Sequence, residues 1–554
     1  MTLDKSIPLP TLQKVGSRWQ LQVDGKPWLI LGGELQNSTM SSARYMKTSG
    51  IWAELQKMNI NTILGPVAWE DIEKEEGCFD FTELDAIIHD ARSHGFRLIL
   101  LWFGSFKNGV SCYVPSWVKK NIQQFPRMQI RHQDGSLHRA NVVSTIHPNC
   151  LGADQRALTC LMNHIKEVDG ARTVIALQVQ NEVGLLGASR DVSDTAEELF
   201  RGGVPEELVQ FLDDRWETLM PEMTRNFPVF AARRQTTEAS EAREPKSWEG
   251  LFGKTVFTDE LFMAYHYAHY VETLAAAARR VYNIPLFTNA WLPMPGTQGI
   301  AAGGAVPGEY PSGGPTPGVL DVWQRFTPSL DFIGPDIYSA DYSDTCRIYS
   351  GAGRQPDEFG VRRIWEAIGR HDALGAAPFG VDTQTAEESR LTSHYKLLSS
   401  VAPFISQARA EDRFMCGFFF DEKSPAEKTL FVERASEYEL SIRPGFVLGR
   451  PGPGYGLIIE LAADRFLLVG KGFRVEFMPR SPTSLVSGIL RFEEKEVGED
   501  GSGLRTCRVF NGDETRSGSW ANMPNDEPDY GDTFIPITIP ARTGIAEVQV
   551  YSVE

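Results

Sequence analysis

Short, almost wholly apolar runs alternate with amphipathic stretches along most of the chain. "PWLILGGEL" (27–35), "INTILGPVAW" (60–69), "FRLILLWFGSF" (96–106) and "TVIALQVQNE" (173–182) read as the first four buried strands. "IPLFTNAW" (284–291), "LDFIGPDIYS" (330–339) and "ALGAAPFGVD" (373–382) extend the series. Between them lie helical patterns such as "LDAIIHDARSHG" (84–95) and "DELFMAYHYAHYVETLAAAARRVY" (259–282). Apolar strands separated by helices predict a parallel sheet covered on both faces. About eight such units over roughly 400 residues predict an α/β fold of the (β/α)8 barrel type.

The pattern changes near residue 430. "YGLIIELAADRFLLVGKGFRVEFMP" (455–479) is strand and turn, and the chain ends on the strand-like "TGIAEVQVYSVE". The sequence therefore predicts a barrel domain over 1–428 and a C-terminal β-sandwich accessory domain over 429–554. The Gly/Pro-rich segment 299–318 reads as a long loop over the active face of the barrel.

Composition narrows the partners. The net charge of −17 excludes the basic face that nucleic acid or an anionic membrane requires. No apolar run approaches the ~20 residues of a membrane span, and the N-terminus shows no apolar leader, so a cytoplasmic protein is expected. Seven scattered cysteines fit reduced thiols. His266 and His269 read as a packing face, and no spacing suggests a metal or a cofactor.

Barrel enzymes carry their chemistry at the C-terminal ends of the strands. Here those ends hold Glu34, Glu70, Asn181, Glu182, Asn289, Asp336 and Asp382. Any one of them serves equally well as a helix cap. Together with Trp69, Trp102, Phe103, Phe106, Trp291 and Tyr338, they describe a cleft for a hydroxylated, carbohydrate-like ligand.

The motifs carry a resemblance. "DGKPWLILGGELQNST" (24–39), "NTILGPVAWEDIEKEEGCFDF" (61–81), "LILLWFGSFKNG" (98–109), "VPSWVK" (114–119), "QVQNEVG" (178–184) and "GPDIYSADY" (334–342) resemble glycoside hydrolase family 35, the β-galactosidases, in the branch with a smaller C-terminal β-domain. The resemblance implies retaining hydrolysis of terminal β-linked sugars. Glu182 is then the proton donor, Asn181 bonds the sugar 2-hydroxyl, and Glu34, Trp69, Glu70, Trp102, Lys107, Asn108, Trp291 and Tyr338 line the sugar site.

Such chemistry needs a second carboxyl group about 5–5.5 Å from the first. Similar proteins carry it on the seventh strand, as an apolar run ending in Pro-Glu. This chain reads "RQPDEFG" (354–360) at that point, and no apolar run is long enough for a strand. A damaged or open seventh position is therefore expected. Glu358 and Asp382 are the candidate nucleophiles, each with a bland alternative: first helical turn for Glu358, strand-end support for Asp382. Three explanations stay open: an alternative translation product lacking the strand, a sugar-binding protein without turnover, or a substitute carboxylate.

Overall fold

The computed structural model describes residues 7–132, 134–235, 247–295, 303–338, 342–349, 360–420, 430–445, 454–498, 503–510, 512–524 and 542–554. Its centre is a curled parallel sheet of seven strands flanked by helices. In barrel order these are Ile30–Glu34, Thr62–Ala68, Arg97–Lys107, Val174–Asn181, Leu286–Trp291 and Phe332–Asp336, with Gly375–Ala376 pairing back onto the first.

The third strand shows why these runs are continuously apolar. Ile99, Leu101 and Phe103 point into the barrel interior, while Leu98, Leu100 and Trp102 pack against the helices outside. Both faces of the strand are dry, so the two-residue period is invisible in polarity. A small antiparallel sheet, Thr11–Val15, Arg18–Val23 and Lys26–Trp28, stops the lower end of the barrel with Leu21 and Val23.

The ring holds no strand at the seventh position among the described residues. Between Asp336 and Gly375 the described segments Tyr342–Tyr349 and Gly360–Arg370 are helices. The sheet ends on the sixth strand at one side and on the two-residue eighth strand at the other. Residues 350–359, which include Glu358, lie outside the described residues.

The C-terminal part is a sandwich of a six-stranded and a four-stranded antiparallel sheet. Its first strand, Met415–Phe419, lies within the stretch that the sequence reading gives to the barrel, and pairs with Tyr455–Ala462. Side chains of the larger sheet alternate between two cores. Ile458, Phe466 and Leu468 fill the sandwich, whereas Leu457, Ile459, Leu467 and Val469 join the barrel core. The helix Gly360–Arg370 lies directly on Met415–Phe419, and a Cβ at Gly417 would meet the Trp365 carbonyl oxygen at 1.7 Å. Glycine is required there by close approach. Among the described residues no helix is long and apolar enough to cross a membrane.

Candidate active site

Glu182 follows the fourth strand directly, with its backbone in the left-handed region at φ +47°. Gln180, two residues earlier, is at +62°. Non-glycine residues adopt such angles at a cost, and the surrounding bonds have to hold them. The Glu182 N–H donates to Asn289 Oδ1 at 2.8 Å. The Gln180 side chain is fixed by donating to Asp154 and accepting from the Phe106 N–H. The Gln178 amide donates to Asn181 Oδ1 and to the Gln180 carbonyl. These bonds rotate the end of the strand so that Glu182 is presented at the barrel mouth.

Four strand ends converge on this carboxyl group. Asn289, on the fifth strand, donates to Asn181 Oδ1 at 3.2 Å and to Asp336 Oδ2 at 2.6 Å. Asp336 ends the sixth strand and its side chain is hydrogen-bonded to the Glu182 carboxyl. Lys107, at the end of the third strand, places its ammonium 3.8 Å from Glu182 Oε2. Glu34, from the first strand, is close enough for its charge to act on Glu182. Burial and the adjacent Asp336 charge push the Glu182 pKa well above the ordinary carboxyl value. The bond to Asp336 and the Glu34 charge add to this, and Lys107 opposes it. Glu182 is thereby suited to hold a proton at neutral pH, as a general acid must.

The remaining predicted residues divide. Asn108 joins the cluster: it sits at φ +49°, its N–H donates to the Asn181 carbonyl, and its buried Oδ1 has no partner among the described residues. Trp291 ends the fifth strand half-buried, and Tyr338 lies just past the sixth, exposed. The structure takes the others elsewhere. Trp102 is fully buried on the helix side of its strand and donates to Asp154 at 2.8 Å. Trp69 is buried edge-on against Trp117 and donates to Glu73 at 2.6 Å. Glu70 is already in the helical turn after the second strand and forms an ion pair with Lys119. Asp382 accepts the Gln36 N–H at 3.1 Å and the Thr39 hydroxyl at 2.6 Å, which ties the eighth-strand loop to the first.

Asn289 and Asp336 are strand-end residues in the sequence, and no motif there signals their contact with Glu182. Tyr113, stacked edge-on against Phe103, had no sequence signal. His266 packs against Phe262 and Tyr265. No cluster able to hold a metal ion occurs among the described residues.

Residues 44–232, which contain the second to fourth strands and Glu182, match the model of the β-galactosidases of glycoside hydrolase family 42. Residues 391–522 match a domain of unknown function, DUF5597. Comparison with curated proteins gives no match. Among solved structures, the β-galactosidase from Bacillus circulans sp. alkalophilus aligns over 68% of this chain and 57% of its own, at 15% identity and a TM-score of 0.43. The cold-adapted β-galactosidase from Rahnella sp. R3 gives the same coverages at 14% identity and a TM-score of 0.43. The catalytic domain of β-amylase from Paenibacillus polymyxa aligns over 66% of this chain and 96% of its own, at 12% identity and a TM-score of 0.43. The chain thus spans 57% of the length of those two β-galactosidases. The matched segment is similar to β-galactosidases over the part of the barrel that carries Glu182. The family model that matches is 42, and family 35, which the motifs resemble, is not among the matches.

Proposed function

We propose that the chain hydrolyses terminal β-linked sugars, with galactosides the first class to test, and that Glu182 is the proton donor. One observation carries the reading: a buried carboxyl group at the end of the fourth strand, held toward the uncharged form beside Asn181, Asn289 and Lys107. A donor of this kind protonates the leaving oxygen as the glycosidic bond breaks. Retention further requires a nucleophile about 5–5.5 Å away. Asp336 is hydrogen-bonded to Glu182 and so too close to fill that role as it stands. Asp382 is engaged by Gln36 and Thr39, and Glu358 lies outside the described residues.

The vacant seventh position among the described residues favours a second reading, a sugar-binding protein that does not turn over. Turnover of a panel of aryl β-glycosides, β-galactoside included, by the wild type and the Glu182→Gln variant separates the two. Phenol release that disappears in the variant supports the hydrolase. Galactose binding by calorimetry without phenol release supports the binding protein, and phenol release undiminished in the variant overturns the role given to Glu182.

A further inference from the structure

Asp336 is nine-tenths buried and its two carboxyl oxygens have different surroundings. Oδ2 accepts the Asn289 amide N–H at 2.6 Å. No N–H or O–H donor of another residue reaches Oδ1 among the described residues. The group beside it is the Glu182 carboxyl. Two bare carboxylates cannot hydrogen-bond each other, so the contact requires one proton between them.

The neighbours decide which carboxyl carries it. An amide donor at 2.6 Å stabilises the charged form of Asp336. Among the described residues the one N–H group that reaches the Glu182 carboxyl is Asn181 Nδ2, at a long 3.4 Å, and the Lys107 ammonium stands at 3.8 Å, beyond hydrogen-bond reach. The proton is therefore placed on Glu182, facing Asp336.

We infer that Asp336 is a positioning residue, whose Oδ1 accepts the Glu182 proton and holds that carboxyl group in its uncharged, donating form, aimed by Asn289. The residue touches no reacting atom in this arrangement. It acts through Glu182, and only its catalytic consequence rests on the hydrolase reading. The charged groups acting on Glu182 come from three strand ends: Glu34 from the first, Lys107 from the third and Asp336 from the sixth. Removing Asp336 leaves Lys107 as the stronger of the two remaining charges acting on Glu182, so the Glu182 proton is released at lower pH.

The test uses the full chain without substrate. Infrared difference spectra between wild type and Glu182→Gln isolate the protonated carboxyl band of Glu182, which is then followed against pH. The expected result is a band present at neutral pH whose midpoint falls by at least one pH unit, tenfold in proton affinity, in Asp336→Asn. Should that variant not fold, Asp336→Ser supplies the same reading with a smaller neutral group. An unmoved midpoint overturns the inference. So does a protonated band that persists in Glu182→Gln and disappears in Asp336→Asn, because the proton then belongs to Asp336. Phenol release plays no part in these measurements, so failure of the hydrolase reading and failure of the pairing are seen separately.

Discussion

Asn289 lies 2.6 Å from Asp336, and the same amide that donates to Asp336 accepts the backbone N–H of Glu182 through its oxygen. One side chain on the fifth strand thus spaces two carboxyl groups carried by its neighbours. Asn289 is fully buried. Its replacement by Ala strands a donor on Glu182 and an acceptor on Asp336, each costing about 1–3 kcal/mol. The expected loss is about 2–4 kcal/mol, read as a lowered urea midpoint at unchanged slope.

Lys107 works against Asp336. Its ammonium approaches Glu182 at 3.8 Å and rests 5.4 Å from the centre of the Phe103 ring. Lys107→Met removes the charge that favours ionised Glu182, so the Glu182 midpoint is expected to rise. In an active enzyme the alkaline limb of kcat/KM moves upward by the same amount, opposite to the shift in Asp336→Asn. A downward or absent shift would mean that Lys107 does not face this carboxyl in solution.

Asp154 is a structural anchor beneath the site. Fully buried, it accepts from Trp102, the Ser105 N–H and hydroxyl, Gln180 and Tyr270. Asp154→Ala leaves at least four buried donors unmet, and a destabilisation above about 4 kcal/mol is expected. Asp154→Asn keeps part of the network and is expected to lose less. Thermal unfolding of the two variants checks the order.

Glu260 makes stability depend on pH. It is enclosed by the helix Val256–Val281 and the loop around Tyr310 and Thr316, whose hydroxyls donate to it at 3.0 and 3.4 Å. Burial raises its pKa from the ordinary 4.5 to about 7. Between those values the folded chain keeps a proton that the unfolded chain has released. Stability from this group is therefore full below about 4.5, falls as pH rises to about 7 and is level above. The span corresponds to about 3 kcal/mol. Glu260→Gln should match the wild type at pH 4 and exceed it at pH 8; equal stability at both would refute the assignment.

The strands were legible because both of their faces are buried, and the sequence between the sixth and eighth strands offers no apolar run for a seventh, which none of the described residues there supplies. Facing was not. Trp102 and Phe103 are adjacent on one strand and equally aromatic, yet one packs on helices and the other lies in the barrel. Glu34 is the last residue of its strand, whereas Glu70 lies just past the end of its own and has turned away toward Lys119. Asp382 looked like a strand-end site residue until its partners appeared, 346 and 343 positions away at Gln36 and Thr39. The Asp336–Glu182 contact needs three neighbouring strands in register with Asn289 between them, information that no local motif holds.

The eighth strand joins the first through a narrow seam. The first six strands pair with one another in chain order, but among the described residues the eighth forms a ladder with the first only at Ile30–Gly375 and Leu31–Ala376, followed by one isolated bridge, Glu34–Phe379. Tyr395 bolts that seam by donating to the carbonyls of Gly32, 363 positions away, and Ala376. Contacts so distant along the chain pay the largest loop-closure entropy and gain little pairing in return. The seam is the last part of the sheet to assemble and the first to part. Amide exchange should find Leu31 and Ala376 opening well before the third and fourth strands, so that the barrel unzips from its join and leaves the Glu182 strand standing until global unfolding.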